Sequence, residues 1–397
     1  MNRASIQIGL EVCVQEPPPL LARGARCGLV MNQASVDASL RCACDVLAAR
    51  FPGQLKALFS PQHGLWGEEQ ANMIPSPHGH YPPLDLPVYS LYGDSRDPSP
   101  AMLQGLDVLL IDLQDVGTRV YTFAWTLRRC LIACGRWGLP VVVLDRPNPL
   151  GGLIAEGPLL QAGYESFVGE ATIPLRHGLT LGELALLLNR EQALGAELSV
   201  VPMAGWRRGM NWSDTGRSWV PPSPNMPHPD TACLYPGMVL LEGTNLSEGR
   251  GTTTPFSVCG APYIDPWRLH DDLAAVPHPG LVLRPCRFVP TFDKWAGQRC
   301  GGLALHAVAP AEVRSVALAL HLLAAVKHRF GQALAWLPPP YEYEYEKLPI
   351  DILFGSSRLR QVLECCPPAG DATIAELASL DEAAWWRRVQ PFLLYPQ

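Results

Sequence analysis

The chain has 397 residues, of which 48% are apolar and 17% charged, and a formal net charge of −6. This length exceeds what one hydrophobic core usually organises, roughly 250–300 residues, so two domains are expected. The charge gives no overall basic field for a nucleic-acid backbone, and no apolar run reaches the roughly 18 residues of a membrane helix, so neither nucleic acid nor membrane is an expected partner.

Taken from the start, no continuous apolar segment of the signal-peptide kind precedes Glu11 and Gln15, and a cytoplasmic protein is expected. CGLVMN (27–32), LKALFS (55–60), VLLIDL (108–113) and VVVLD (141–145) are short runs rich in Val, Leu and Ile that stop at polar, Gly or Pro residues. They read as buried parallel strands. Candidate helices lie between them at about Ser39–Arg50, Tyr121–Trp137 and Thr180–Gln192, the last with Thr180 and Glu183 as a capping box. The class is α/β, most simply a doubly wound, mostly parallel sheet.

Such sheets bind ligands beyond the carboxyl ends of their strands. Four polar clusters stand there: Asn32-Gln33, Pro61-Gln62-His63-Gly64, Gln114-Asp115-Val116-Gly117 and Arg146-Pro147-Asn148-Pro149. One pocket is expected to collect all four. From about Gly205 to Pro262 the sequence is dense in Trp, Pro, Gly and Asn, which predicts long ordered loops closing over that pocket. After about Pro266 come the strand-like LVLRPCRFVPTF and GLALHAVA, a helix at Ala311–Phe330, and the polar stretch YEYEYEKLPIDILFG, which fit a smaller α+β domain.

The chemistry-bearing clusters each have a plain structural reading as well. Asp115 can cap the next helix with Arg119 neutralising it, or face the pocket as acid, base or electrostatic stabiliser. In EGTNLSEGRGTTTPF (242–256), Glu242, Asn245, Glu248 and Arg250 sit among glycines that let backbone amides approach a ligand. His177, just ahead of a helix, is either a packing residue or a ligand contact. His63 and HGH at 78–80 can be read as metal ligands or as exposed loop residues, and no metal is expected. The twelve cysteines are scattered, with Cys42/Cys44, Cys130/Cys134 and Cys365/Cys366 near one another, and read as reduced thiols. The chain has no P-loop, no GxGxxG after the first strand and no GxSxG elbow, so no nucleotide or nicotinamide cofactor is expected. Carboxylates, Asn, Arg, His and aromatic faces without a cofactor motif suit a saccharide.

SPQHGLWG, PVYSLYG (87–93), DLQDVGTRVYTF, VLDRPNPLGG (143–152), SFVG (166–169), RHGLTLGELA (176–185), WVPPSPNMP (219–227), YPGMVLLEGTNLSEGRGTTTPF and GAPYID (260–265) together resemble the exo-β-N-acetylmuramidase family. The likeness runs from about Gly9 to YEYEYEKLPIDILFGSSRLR. It implies a Rossmann-like α/β domain over 1–260 carrying the active-site loops, a smaller α+β domain over 261–397, and release of N-acetylmuramic acid from the non-reducing ends of peptidoglycan fragments. The family's SPEHG motif, whose Glu is a suggested catalytic residue, falls here on a glutamine, Gln62. The resemblance leaves Asp115, Glu242 or the Glu68/Glu69 pair as catalytic candidates. Asn32, His63, Arg119, Tyr121, Asn148, Arg176, His177, Asn225, Asn245 and Arg250 are the substrate-binding ones, the arginines suiting a lactyl carboxylate. The second reading is a sugar- or muropeptide-binding protein that has lost turnover.

Overall fold

The structure, a computed structural model, describes residues 6–365 and 370–397. Among these residues twelve strands form three sheets: β1 Cys27–Val30, β2 Leu55–Ser60, β3 Gly79–Tyr81, β4 Leu86–Ser90, β5 Val108–Ile111, β6 Val141–Leu144, β7 Glu156–Leu159, β8 Pro174–Arg176, β9 Leu198–Val201, β10 Val258–Ala261, β11 Leu281–Phe288 and β12 Cys300–Ala307. The main sheet runs β3-β4-β2-β1-β5-β6-β9, and only β3 and β4 pair antiparallel. The chain runs outward from β1 through β2 to β4 on one side and then crosses back to β5 on the other, so the strand order reverses at the centre and opens a crevice at the carboxyl edge.

The apolar runs form strands because both faces are buried. Leu109, Ile111, Val141 and Val143 share a core with Leu127, Cys130, Leu131 and Cys134 of the helix Phe123–Trp137. Their neighbours Val108, Leu110, Val142 and Leu144 point the other way, as the pleat requires, to Leu10 of the helix Gly9–Gln15 and Ala43 and Leu47 of the helix Ala43–Arg50. The strand ends Leu113 and Asp145 lie just beyond the hydrogen-bonded ladder. The helix predicted from Ser39 starts only at Ala43. The Asp37 carboxylate accepts from the backbone N–H groups of Ser39 and Arg41, and Leu40 takes a left-handed φ of 61°, which makes a turn of those residues. The Thr180 and Glu183 capping box forms as predicted.

The second unit is the antiparallel sheet β10-β12-β11, with the helices Pro266–Leu273 and Ser315–Phe330. The stretch 205–262, expected as loops, contains the helix Pro229–Met238. Proline at its start and Pro236 inside it hide it from propensity. Its support is tertiary: Gly237 lies so close to the helix Ser315–Phe330 that a Cβ there would meet the Ser315 carbonyl oxygen at 1.9 Å. The position 260/261 falls within β10, Val258–Ala261. The tryptophans of this stretch pack rather than cover the crevice: Trp206 lies edge-on to Tyr395, and Trp212 edge-on to Trp219. Eleven described cysteines are unpaired, and burial pushes the thiols of Cys13, Cys27 and Cys134 up to about 12. Cys366 lies outside the described residues.

Candidate active site

The turn after β2 starts the site. Ser60 ends the strand, and His63 and Gly64 follow with φ of 73° and 83°. His63 is thus held in the left-handed region, which few non-glycine residues adopt. Its neighbour Gln62 is buried, and its amide orientation is fixed from both ends. The Thr122 hydroxyl donates to Gln62 Oε1 at 2.6 Å, while Gln62 Nε2 donates to Glu342 Oε1 at 3.0 Å and to the Tyr92 hydroxyl oxygen at 3.1 Å. Tyr92 in turn donates to Glu342 Oε2 at 2.7 Å. Glu342 and Tyr343 also have left-handed φ, 45° and 67°. Burial raises the Glu342 carboxyl above its usual range although Tyr92 and Gln62 donate to it.

A second carboxyl, Glu242, lies close by in a different setting. Arg250 Nη2 donates to its Oε1 at 2.8 Å, and its Oε2 takes the Tyr341 hydroxyl and Asn72 Nδ2, the latter at 3.3 Å. Burial would raise this carboxyl, but Arg250, Tyr341 and, farther off, Lys294 together hold it below its usual range. Glu248 completes the cluster, pairing with Arg250 Nε at 3.3 Å and Lys294 Nζ at 2.8 Å. Gln62, His63, Asn72, Tyr121, Thr122, Ser223, Asn225, Tyr235, Arg250, Phe256, Tyr341 and Glu342 line one narrow cleft. His63 Nδ1 meets the Glu69 carbonyl at 2.7 Å, so Nδ1 carries the hydrogen. Burial pulls the His63 pKa down to about 4, which leaves a neutral ring with Nε2 as an acceptor.

The five residues Asn32, His63, Asp115, Asn148 and Arg250 do not share this cleft; only His63 and Arg250 line it. Asn32 Nδ2 donates to the Pro222 carbonyl at 2.8 Å, and Asn148 Nδ2 to that of Leu179 at 2.9 Å. Both tie loops together, as does Asn245, which accepts from Tyr263 and donates to the Ala333 carbonyl. Arg119 does not line the cleft either. Its two terminal nitrogens donate to the carbonyls of Pro158, Ile173, Leu353 and Phe354 at 2.8–3.0 Å, so it holds the C-terminal unit to the strand-end loop. Arg176 likewise donates to the Val313 and Leu150 carbonyls.

Asp115 accepts from the Gly117 N–H at 2.7 Å, and its Oδ2 is 3.8 Å from Nε2 of the buried His177. Burial lifts Asp115 to about 7 and lowers His177 to about 3, so at neutral pH the histidine is uncharged. Neither lines the cleft. Glu68 is exposed and closes its own turn by accepting from the Trp66 N–H at 2.9 Å. His78 accepts from the Ser90 N–H, and His80 pairs with Asp85 on the surface. No group of three His, Cys, Asp or Glu able to hold a metal occurs among the described residues.

The residues that sequence reasoning missed are Glu342, Tyr341, Tyr92 and Asn72. The available signal was YEYEYE: an alternation of one aromatic and one charged type has no reason to be solvent-exposed throughout, and here Tyr341 and Glu342 both turn inward. The result is two carboxyls lining adjoining spaces that share Asn72, Arg250 and Tyr341, Glu342 pushed toward the acid and Glu242 toward the carboxylate. Environments that separate two carboxyls in this way divide acid from base roles in glycosidases.

Comparison with known proteins agrees with that chemistry. Residues 27–230 match the family model described as "Exo-beta-N-acetylmuramidase NamZ, N-terminal", and residues 233–395 match its C-terminal counterpart. A "Peptidoglycan beta-N-acetylmuramidase NamZ" of Bacillus subtilis (strain 168) is 41% identical over 338 residues, 85% of this chain and 81% of that protein. Two crystal structures of DUF1343 family proteins from Bacteroides fragilis NCTC 9343 share the fold. One has a TM-score of 0.87 and 32% identity, the other 0.76 and 26%, and each alignment covers 99% of this chain and 100% of the other. The chain belongs to the exo-β-N-acetylmuramidase NamZ family and is a glycoside hydrolase of that family.

Proposed function

We propose that this enzyme releases N-acetylmuramic acid from the non-reducing end of peptidoglycan fragments, with Glu342 as the general acid and Glu242 as the ionised carboxylate opposite it. The observation that carries this reading is the placement of Glu342 on the cleft and Glu242 on the chamber joined to it through Asn72, Arg250 and Tyr341, with opposed shifts of the two carboxyls. A protonated Glu342 delivers its proton to the glycosidic oxygen as the bond to the anomeric carbon breaks, and the negative Glu242 stabilises the positive charge that develops on the sugar. A water then adds to the anomeric carbon and gives a proton back to the Glu342 carboxylate. Gln62 cannot deliver a proton. Its amide is instead a fixed donor that, with Tyr92, orients Glu342. His63, Asn225, Tyr121 and Ser223 supply the donors and acceptors that a sugar's hydroxyl and acetamido groups need, and Arg250 is the cleft's cation for a lactyl carboxylate.

A role in cell-wall recycling inside the cytoplasm is the finer part of the proposal. Unpaired, mostly buried thiols favour a reducing compartment. No described helix is long and apolar enough to cross a membrane. The test is incubation of purified protein with a disaccharide of N-acetylmuramic acid linked to N-acetylglucosamine, followed by chromatography. Equimolar release of the two monosaccharides is expected. Intact disaccharide after prolonged incubation, with the free sugar still binding, contradicts the proposal.

A further inference from the structure

Beside the cleft lies a second, wider and more open chamber, lined by Ala71, Glu248, Phe292, Asp293, Lys294 and Leu337 together with Asn72, Glu242, Arg250 and Tyr341. Asn72, Arg250 and Tyr341 line both spaces, so the two are joined at the Glu242 cluster. The inner cleft is walled by buried side chains. The outer one is rimmed by Phe292, which is 39% exposed. An enzyme that removes a terminal sugar needs this asymmetry: a closed end for the sugar released and an open end for the remainder.

Phe292 sits on a loop between β11 and β12 that is fastened to the loop carrying Glu242 and Arg250. The Thr291 N–H and hydroxyl both donate to the Gly251 carbonyl, at 2.8 and 2.9 Å. Lys294 Nζ donates to the carbonyls of Leu241 and Leu246 at 2.9 and 3.0 Å, besides its pairing with Glu248. Trp295 Nε1 donates to the Asn245 carbonyl at 2.6 Å. The ring is therefore an apolar surface held in place, suited to the C–H face of a pyranose. The charges nearby cancel, because Arg250 and Lys294 are matched by Glu242 and Glu248, and the exposed Asp293 leaves the rim slightly negative. A different open space touches Glu342 from the side of Phe167 and Tyr343. There the Arg96 guanidinium lies over both rings, 3.8 Å from the Tyr343 centroid and 4.9 Å from that of Phe167, so those aromatic faces are taken.

We infer that the outer chamber is the leaving-group subsite, that it accepts an uncharged pyranose, and that Phe292 is its stacking platform. This rests on the reading of the inner cleft as the site of the terminal muramyl residue. The test compares kcat/KM for the muramyl–N-acetylglucosamine disaccharide with kcat/KM for a β-muramyl fluoride, whose leaving group is a single atom and does not reach Phe292. Phe292→Ala is expected to lower the disaccharide-to-fluoride ratio about two- to tenfold, the range of one aromatic contact, and Phe292→Tyr to restore it. An unchanged ratio, or equal loss on both substrates, overturns the subsite while leaving the glycosidase reading intact. Failure of the unaltered enzyme to cleave either substrate overturns both.

Discussion

In the loop after β5, Arg119 is enclosed by four backbone carbonyls and no carboxylate, and burial lowers its pKa to about 9. In the loop at 242–250, Arg250 is nearly as enclosed, its side chain 11% exposed, but lies between Glu242 and Glu248. Although burial works against its charge, these two carboxylates hold its pKa above the usual range. The carboxyls of the two regions differ in the same way. Asp115 is closed off behind the strand end, whereas Glu342 faces the cleft with its oxygens held by Gln62 and Tyr92. Burial alone thus distinguishes nothing here. What separates framework from chemistry is whether the hydrogen-bond partners are backbone groups or side chains, and whether the group still faces open space.

The largest effect expected from this contrast is on catalysis. Glu342→Gln should lower kcat/KM on the disaccharide by about 10²–10⁴-fold, the usual contribution of acid catalysis, and much less on an aryl glycoside whose phenol leaves without protonation. Equal losses on the two substrates would assign Glu342 to positioning. On the other side of the contrast, Arg119→Met takes the guanidinium donors from four carbonyls, that of Ile173 keeping the Leu160 N–H. Urea unfolding should then show a loss of about 3 kcal/mol or more, while kcat/KM of the folded fraction changes little. A large change in KM for the disaccharide would return Arg119 to the substrate.

Asp115 gives a pH-dependent version of the same distinction. Its folded pKa of about 7 lies above the ordinary 3.8, so the folded state holds this proton more tightly than the unfolded chain does. The favourable contribution is fully present below about pH 4 and is lost as the pH rises to 7. Asp115→Asn should therefore stabilise the protein at pH 8, by on the order of 1–3 kcal/mol, and give no gain below pH 4. A drop in turnover of a hundredfold or more would place Asp115 in the chemistry. The smallest effect belongs to Gln62→Glu. Two carboxyls joined across a 3.0 Å contact would share one proton, so the alkaline limb of the kcat/KM profile should move up by about 1 pH unit or more. Maximal turnover should change little, because Glu342 already supplies the acid.

Much of the framework was legible. VLLI and VVVL are strands because their composition suits burial on both faces, and Thr180 with Glu183 announces a helix start through local hydrogen bonds. The helix Pro229–Met238 was not legible, since its prolines argue against it and only packing on a distant helix supports it. At the site, the β2 turn was identified through its motif, and Gln62 and His63 do line the cleft. Arg119, Arg176, Asn32 and Asn148 were assigned to ligand because their types and strand-end positions fit, but residue type does not say to which side of a loop a side chain turns. Glu342 was missed because its partner lies 280 residues away in the chain, and nothing local to YEYEYE reveals that contact.

The central claim is that Glu342 supplies the carboxyl absent at position 62. The most direct measurement moves that group across the hydrogen bond joining the two residues, by comparing disaccharide kcat/KM in Glu342→Gln with that in the double variant Glu342→Gln/Gln62→Glu. The single variant should be severely impaired, and the double variant should recover at least about tenfold, because a carboxyl again stands beside the cleft with an amide donating to it. Undiminished turnover in the single variant, or a double variant no better than the single, would contradict the assignment.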